Sequence, residues 1–342
     1  MRVSVIFTGG TIGSKLTSEH VISTDNTAAY ELLAAYESQP DHLPVQFLTS
    51  EPYYILSENI RAQNLITLIR EITNVLSTAD PDGIIVTHGT DTLQYTAAIL
   101  GYVFSTASVP IILVSSNYVL QDARANGLSN FYHAISFLSY LSCQWGLPER
   151  RRTGVFVSYQ NTGQPALIHR ATRLLPSLPF TDEVHSCMNQ WFAKLTDSRW
   201  ELNPRYLSTP DTFSVSPKQV SLTDDSGCIL RIRPYPGMVY PEIPSGTRAI
   251  LHESFHSGTI GIHAALTDFV TEASRKKIPI YLSGFNPSEN AYETSAQYRA
   301  LGLAVLPVSS VIAQYCKLWL ATGNGLKLDS MMQETWGEDL IT

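Results

Sequence analysis

Two short loops carry the hydroxyl groups best suited to chemistry in this sequence. The loop at residues 8–11 reads Thr-Gly-Gly-Thr and follows an apolar run, and the loop at residues 87–92 reads Thr-His-Gly-Thr-Asp-Thr and follows another. A threonine hydroxyl becomes a nucleophile when a base removes its proton. Backbone N–H groups beside glycines can approach a developing oxyanion. We therefore regard Thr11 and Thr90 as candidate nucleophiles, with Asp91 able to hold a substrate ammonium group or to orient a base.

Each loop taken alone also has an ordinary structural explanation. Gly-Gly-Thr and His-Gly-Thr turns are typical connections from a strand to a helix, and threonine favours helix N-termini. Neither loop has the GxxxxGK[ST] or GxGxxG spacing of phosphate-binding turns, so nucleotide binding is not favoured.

The elements around these loops predict an α/β protein. Strand patterns at 83–86, 109–114 and 154–158 alternate with helical patterns at 93–104 and 128–141. Such alternation indicates a mainly parallel sheet covered by helices. Right-handed crossovers would bring both loops to the edge of the sheet where ligands bind in this class of fold.

The length of 342 residues favours two domains. We predict a larger N-terminal catalytic domain over residues 1–190, an interdomain linker over 191–221, and a smaller C-terminal α/β domain over 222–342. The linker prediction rests on a polar, proline-punctuated stretch without periodicity. Residues 14–25, polar and rich in Ser and Thr, are predicted to form a mobile surface loop.

Composition points to a small-molecule partner. The net charge is -7 and there is no run of Lys or Arg, which argues against nucleic acid and anionic membranes. No apolar stretch approaches the roughly 20 residues of a membrane span, and we expect a cytoplasmic location. The four cysteines are scattered without metal-ligand spacing, so we expect free thiols and no metal or other cofactor.

Taken together, the two loops resemble the two signature motifs of bacterial-type L-asparaginases. The resemblance extends through Asp122 to Asn130, through Leu230-Arg231-Ile232 with Pro236-Gly237-Met238, and through Ser257-Gly258. It looks closest to the cytosolic type I branch. Two motifs in the right order, some eighty residues apart, are far more specific than either alone.

The resemblance implies a role for each matching residue. Thr11 would attack the side-chain amide carbon to give an acyl-enzyme, and Thr90 would be the second catalytic threonine. Asp91 would bind the substrate α-amino group, and Ser57 would contact its α-carboxylate. Further candidate substrate-binding residues are Glu58, Gly89 and Ser116. Members of the family form dimers or tetramers, so a homodimer or homotetramer is expected.

The sequence departs from the family at several of these positions. Arg173 occupies the position of the lysine that completes a Thr-Lys-Asp triad, and a guanidinium group stays protonated and cannot act as a general base. The mobile-loop tyrosine has no counterpart, and His20 is the nearest candidate for its proton transfer, although an exposed loop histidine is the simpler interpretation. Ser116 and Thr259 also replace residues of the family's pocket.

Three functions remain open from the sequence. The first is hydrolysis of the side-chain amide of asparagine or a related small amide through a threonine nucleophile. The second is action on a different amide, with the fixed charge of Arg173 pairing with a substrate carboxylate. The third is amino-acid binding without catalysis, because loss of a triad member can lower the rate of a hydrolase by many powers of ten.

Overall fold

The computed structural model describes residues 1–16, 22–24, 26–224, 228–284 and 294–341. The first part of the chain contains β1 (Arg2–Phe7), β2 (Ser14–Leu16), β3 (Ile22–Thr24), α1 (Asn26–Glu37), β4 (Gln46–Ser50), α2 (Ala62–Thr78), β5 (Gly83–Thr87), α3 (Leu93–Val103), β6 (Pro110–Val114), α4 (Gly127–Ser142), α5 (Glu149–Arg152), β7 (Gly154–Tyr159), β8 (Leu167–Arg170), β9 (Ala193–Thr196) and β10 (Arg199–Leu202). The second part contains β11 (Ile229–Ile232), β12 (Ala249–His252), α6 (Ala264–Arg275), β13 (Ile280–Leu282), α7 (Thr294–Ala300), β14 (Ala304–Val305), α8 (Val311–Gly323) and α9 (Leu328–Gln333).

The main sheet has the strand order β10-β9-β8-β7-β6-β5-β1-β4. Strands β4, β1, β5, β6 and β7 are parallel, and β8, β9 and β10 continue the sheet in antiparallel pairing. Every residue of β5 and β6 is buried, as expected for parallel strands covered on both faces. The predicted α/β class with a mainly parallel, helix-covered sheet is confirmed.

Helices cover both faces of this sheet. Ile84 and Val86 of β5 face a core shared with α2, α3 and α8, whereas Ile85 faces a core shared with α1 and α4. This alternation follows from the two-residue period of a strand. One face of α2, including Leu65, Leu68, Ile69 and Ile72, is buried against the sheet as its helical spacing predicts.

A second, four-stranded parallel sheet has the order β11-β12-β13-β14. Helix α8 belongs to this part of the chain but packs on α3, and the Tyr102 hydroxyl of α3 donates to the Ala313 carbonyl oxygen at 3.0 Å. The two sheets are therefore joined by buried contacts. Within the ranges described, no helix is long and apolar enough to cross a membrane.

Two segments differ from their predicted form. Strands β9 and β10 lie within residues 191–221, predicted as linker, and extend the main sheet as an antiparallel hairpin. The prediction missed them because each has only four residues. Strands β2 and β3 form a hairpin within residues 14–25, predicted as a mobile loop. The domain boundaries themselves stay predictions.

Candidate active site

The two hydroxyl-bearing loops leave neighbouring strands at the same level. Phe7, the last residue of β1, is the register partner of Thr87, the last residue of β5. The Thr8 hydroxyl donates to the Thr87 carbonyl oxygen at 2.6 Å and ties the two strand ends together. The chain therefore turns out of the sheet twice at one place on its edge.

Beyond the strands, the loops stay in contact through their glycines. A Cβ atom at Gly10 would collide with the backbone nitrogen of Gly89, and Gly10 has a φ of 76°. This backbone conformation and this close approach both require glycine. The contact brings the Thr11 loop against the Thr90 loop, as expected from the sequence.

A third segment, at residues 55–59, closes against both loops. The Gly10 N–H donates to the Ile55 carbonyl oxygen at 3.0 Å. A Cβ atom at Gly89 would collide with the hydroxyl oxygen of Ser57, and Thr92 donates its hydroxyl to the Ser57 carbonyl oxygen at 2.9 Å. Ser57 is thus buried beside Gly89, whereas Glu58 next to it is exposed.

Thr11 and Thr90 are both partly buried. Thr11 begins a single 3-10 turn at Thr11–Gly13, directly after Gly10. Among the described residues, neither the Thr11 nor the Thr90 hydroxyl has a hydrogen-bond partner. Both oxygens are therefore available to a ligand, which a nucleophile requires.

Asp91 lines a cavity of about 320 Å³ together with Thr90. Asp91 is exposed, and its carboxylate has no hydrogen bond or ion pair within the described chain. The opposite wall is the segment at residues 177–184, with Glu183 as a second carboxylate, and Asn117 and Tyr159 complete the lining from the sheet edge. The cavity can thus present two negative charges and a threonine hydroxyl to one ligand.

His88, which lies between the two loop halves, serves the structure. Its Nδ1 contacts the Gly89 carbonyl oxygen at 2.8 Å and its Nε2 contacts the Thr96 hydroxyl at 2.9 Å. Complete burial lowers the pKa of His88 from 6.5 to about 4, against the opposing effect of the Gly89 hydrogen bond. A neutral imidazole therefore fixes the Gly89 backbone next to Thr90.

Ser116 lies at the end of β6, on the same edge as the two loops. Its hydroxyl donates to the Tyr118 carbonyl oxygen at 2.6 Å, and the residue is fully buried. The neighbouring Asn117 lines the cavity instead. His20 lies outside the described residues. The described part of the chain contains no cluster of three His, Cys, Asp or Glu side chains placed to hold a metal ion.

Arg173 is fully buried, but its guanidinium group contacts the C-terminal segment. Nε donates to the Glu338 carbonyl oxygen at 2.9 Å, and one terminal nitrogen donates to the carbonyl oxygens of Leu207 and Leu340 at 3.0 and 3.2 Å. The guanidinium carbon lies 4.1 Å from the ring centre of Tyr206. None of these partners belongs to the Thr11 or Thr90 loop, so these contacts do not join Arg173 to the threonines.

The antiparallel course of β8 explains this position. Leu167 pairs with Tyr159 at the cavity edge of the sheet, whereas Arg170 pairs with Phe156, nearer the opposite edge. The next residue but one, Thr172, packs on Gly101 of α3 and donates to the Gly337 carbonyl oxygen at 2.7 Å. Gly101 lies about 12 Å along the helix axis from Leu93, at 1.5 Å per residue.

Glu183 and its segment were not found from the sequence. Residues 177–184 have no strand or helix periodicity that marks them as part of a site. They return to the cavity because Asn161 accepts the Val184 N–H at 2.9 Å and donates its side-chain amide to the Val184 carbonyl oxygen at 3.2 Å. Only this long-range pairing brings Glu183 to the same cavity as Asp91.

Comparison with known families gives a match over about half of the chain. Residues 2–175 match the model of the asparaginase family, in its N-terminal part. One component of the glutamyl-tRNA(Gln) amidotransferase of Methanopyrus kandleri is 28% identical over 175 residues, which are 51% of this chain and 36% of that protein. Glutaminase-asparaginase of Pseudomonas fluorescens biotype A is 32% identical over 158 residues, 46% of this chain and 41% of that protein. The matched stretch therefore spans less than half the length of either relative.

Solved structures match over almost the whole chain. The thermostable L-asparaginase of Thermococcus kodakarensis has a TM-score of 0.78 at 21% identity, with complete coverage of both chains. L-asparaginase I of Vibrio cholerae has a TM-score of 0.76 at 20% identity, covering 99% of each chain. A probable cytoplasmic L-asparaginase of Campylobacter jejuni has a TM-score of 0.66 at 17% identity, covering 98% of this chain and 99% of that one. At these identities the likeness establishes a shared fold.

Proposed function

The chain belongs to the asparaginase family, and we propose on this premise that it is an amidohydrolase releasing ammonia from the side-chain amide of asparagine or a related small amide. The observation that carries the proposal is the contact between Gly10 and Gly89, which holds the Thr11 loop against the Thr90 loop. The threonine hydroxyls lie at the ends of adjacent strands, which is where α/β proteins bind ligands.

In the proposed reaction Thr11 is the nucleophile. Its hydroxyl oxygen forms a bond to the amide carbon, the carbon–nitrogen bond breaks, and the hydroxyl proton ends on the leaving ammonia. Water then adds to the resulting ester, the bond to the Thr11 oxygen breaks, and a water proton returns to that oxygen. The product is the free carboxylic acid. Neither step requires a metal or other cofactor.

Supporting roles follow from the surroundings of the threonines. Thr90 would share in the proton transfers, and Asp91, unpaired within the described chain, would hold a substrate ammonium group. The Gly89 backbone would lie near the developing oxyanion, with Ser57 beside it as a donor to the substrate carboxyl end, and Glu58 and Ser116 would support the binding pocket. The arrangement leaves the proton acceptor for Thr11 unassigned, and His20 remains our candidate.

The contacts of Arg173 favour a structural role for this residue. A guanidinium group cannot act as a base at any working pH, and its donors are used by the carbonyl groups of residues 207, 338 and 340. We therefore propose that catalysis does not depend on direct contact with Arg173. The same contacts favour a second candidate function, amino-acid binding without turnover, which a measurement of ammonia release separates from hydrolysis.

Assembly and location are also proposals. Similarity to the asparaginase family supports a homodimer or homotetramer, and similarity to the Campylobacter jejuni protein described as probably cytoplasmic supports a cytoplasmic location. Sedimentation velocity of the purified protein would test the assembly.

The decisive experiment measures ammonia release from a panel of small amides by the parent protein and by Thr11→Ala. We expect catalytic release by the parent and a loss of at least roughly 1,000-fold in kcat/KM for the variant, the effect of removing a hydrolase nucleophile. Thr67→Ala, at a partly exposed position of α2, is the matched control and should keep full activity. Equal rates for Thr11→Ala and the parent would contradict the nucleophile. Stoichiometric binding with no turnover would favour the binding protein.

A further inference from the structure

The cavity beside Thr90 has a charge pattern that suits a particular kind of amide. We infer that this site prefers substrates that carry a free ammonium group but whose α-carboxyl group is in an amide linkage, such as an N-terminal asparagine residue of a peptide. This inference rests on the proposed amidohydrolase function and adds the substrate class.

The charged groups that line the cavity are acidic. Two carboxylates, Asp91 and Glu183, line it, and its described lining contains no lysine, arginine or histidine. The residues that lie outside the described ranges contain no lysine or arginine either, and His20 is the one histidine among them. The net charge that the described lining offers to a ligand is therefore negative.

Basic groups that could offset this charge are engaged elsewhere. Arg173, which occupies the triad lysine's position in the sequence, donates to carbonyl groups of the C-terminal segment. Glu183 contacts His185 at 3.0 Å, but each side chain is about half exposed. An exposed pair of this kind contributes little in water, so Glu183 keeps most of its effect on the cavity.

The backbone holds Glu183 in a fixed position. The next residue, Val184, exchanges two hydrogen bonds with the side chain of Asn161, and Leu175 donates its N–H to the His185 carbonyl oxygen at 2.9 Å. These bonds secure the chain directly after Glu183. The second carboxylate is thus part of the wall opposite Asp91.

Free asparagine and a peptide asparagine respond differently to this field. The ammonium group of either is attracted by both carboxylates, but the α-carboxylate of free asparagine is repelled by them. At a partly buried site such interactions are several-fold stronger than in bulk water. A peptide bond at the α-carbon removes the negative charge and leaves the ammonium group and the side-chain amide unchanged.

The rim of the cavity offers a surface for the rest of such a substrate. Leu178 is 59% exposed and Phe180 is fully exposed, and both line the cavity with Pro179 between them. The volume of about 320 Å³ falls at the lower end of the roughly 300 to 1,000 Å³ of pockets that hold drug-sized ligands. The site therefore has room and apolar contacts for a residue after the asparagine.

The test compares three substrates that each contain one primary amide, so that ammonia comes only from the side chain. These are L-asparagine, asparagine N-methylamide, and asparaginyl-leucine N-methylamide. We expect kcat/KM to be at least tenfold higher for asparagine N-methylamide than for L-asparagine, and higher again for the leucine compound. The advantage of the first over L-asparagine should shrink in about 0.5 M NaCl because salt screens the carboxylates.

Two variants assign the preference to Glu183. Glu183→Gln should raise kcat/KM for L-asparagine and reduce the preference at least fivefold. Asp182→Asn removes the same charge one residue away, outside the described lining of the cavity, and keeps an oxygen to accept the Thr162 hydroxyl. This control should leave the preference unchanged.

The outcomes separate the inference from the proposed function. If L-asparagine is hydrolysed as well as or better than its N-methylamide, and Thr11→Ala abolishes the reaction, the inference is wrong and the function stands. If Glu183→Gln leaves the preference intact, the carboxylate does not cause it and the inference is wrong. If no member of the panel or of the wider set of amides releases ammonia, both fail.

Discussion

Gly10 and Gly89 touch through their backbones at the point where two loops from adjacent strands meet. No side chain fits at Gly10, because its Cβ atom would collide with the nitrogen and Cα of Gly89. This contact fixes how far apart the Thr11 and Thr90 loops can lie. A site made of two loops thus depends on the absence of two side chains.

The first prediction concerns this contact. Gly10→Ala introduces a collision with Gly89 and also an L residue at a φ of 76°. The conformation alone costs roughly 1–3 kcal/mol, and the collision adds to it. We expect a loss of unfolding free energy in urea that exceeds that of Gly163→Ala, together with a loss of ammonia release.

Gly163 is the matched control for this prediction because its φ is 69° and nothing lies within 4 Å of the place that a Cβ atom would take. The difference between the two variants measures the collision. Equal losses of stability would contradict close contact between the loops.

The second prediction concerns Asp91. Its carboxylate is exposed and unpaired within the described chain, so Asp91→Asn should leave the melting temperature unchanged within about 1 °C. The same change removes the charge that attracts a substrate ammonium group, and we expect kcat/KM to fall roughly 100-fold or more, equivalent to about 3 kcal/mol. Asp268→Asn, at an exposed position of α6, should change neither quantity. An unaltered kcat/KM for Asp91→Asn would refute the role of Asp91.

The third prediction concerns Arg173. Arg173→Lys leaves several buried carbonyl groups without their donor, because an ammonium group cannot reproduce the planar set of N–H groups. Breaking buried charged contacts costs about 3–5 kcal/mol, and we expect a loss of that order in urea unfolding. Arg205→Lys is the control, because Arg205 is exposed.

If Arg173 instead occupied the position of a catalytic lysine, Arg173→Lys would raise ammonia release and leave stability nearly unchanged. Kinetics and unfolding of the one variant therefore distinguish the triad role expected from the sequence from the structural role favoured by its contacts.

The fourth prediction concerns stability against pH. Burial lowers the pKa of His88 and of His133 from 6.5 to about 4, and that of His169 to about 3. Between about pH 4 and 6.5 the unfolded chain therefore binds protons that the folded chain does not, so stability rises with pH and falls on acidification. For His88 the loss from pH 7.5 to pH 5 is roughly 2 kcal/mol, at about 1.36 kcal/mol per pKa unit.

Urea unfolding at pH 7.5 and pH 5 measures this dependence. His88→Asn should be less stable than the parent at pH 7.5 but should lose less stability on acidification. The exposed His256 supplies the control, and His256→Asn should follow the parent at both values. A parent protein equally stable at pH 5 and pH 7.5 would contradict neutral, buried histidines.

The sequence by itself determined the main parallel strands and the two loops that follow them. Buried parallel strands need continuous apolar runs, and β1 and β5 have them, so both loops could be placed at strand ends and matched in order to one family. The helices were recognised because α2 and α4 bury one face over several turns. These signals are local, since each is contained in fewer than about twenty consecutive residues.

The tertiary structure alone decided the surroundings of the site. The direction of the Arg173 guanidinium follows from the antiparallel course of β8 and from carbonyl groups more than thirty residues away. The position of Glu183 opposite Asp91 follows from the pairing of Asn161 with Val184. Such contacts join residues distant in the chain, and no periodicity or composition of a single segment encodes them. The sequence therefore identifies the reactive threonines, whereas the fold decides which charges face them.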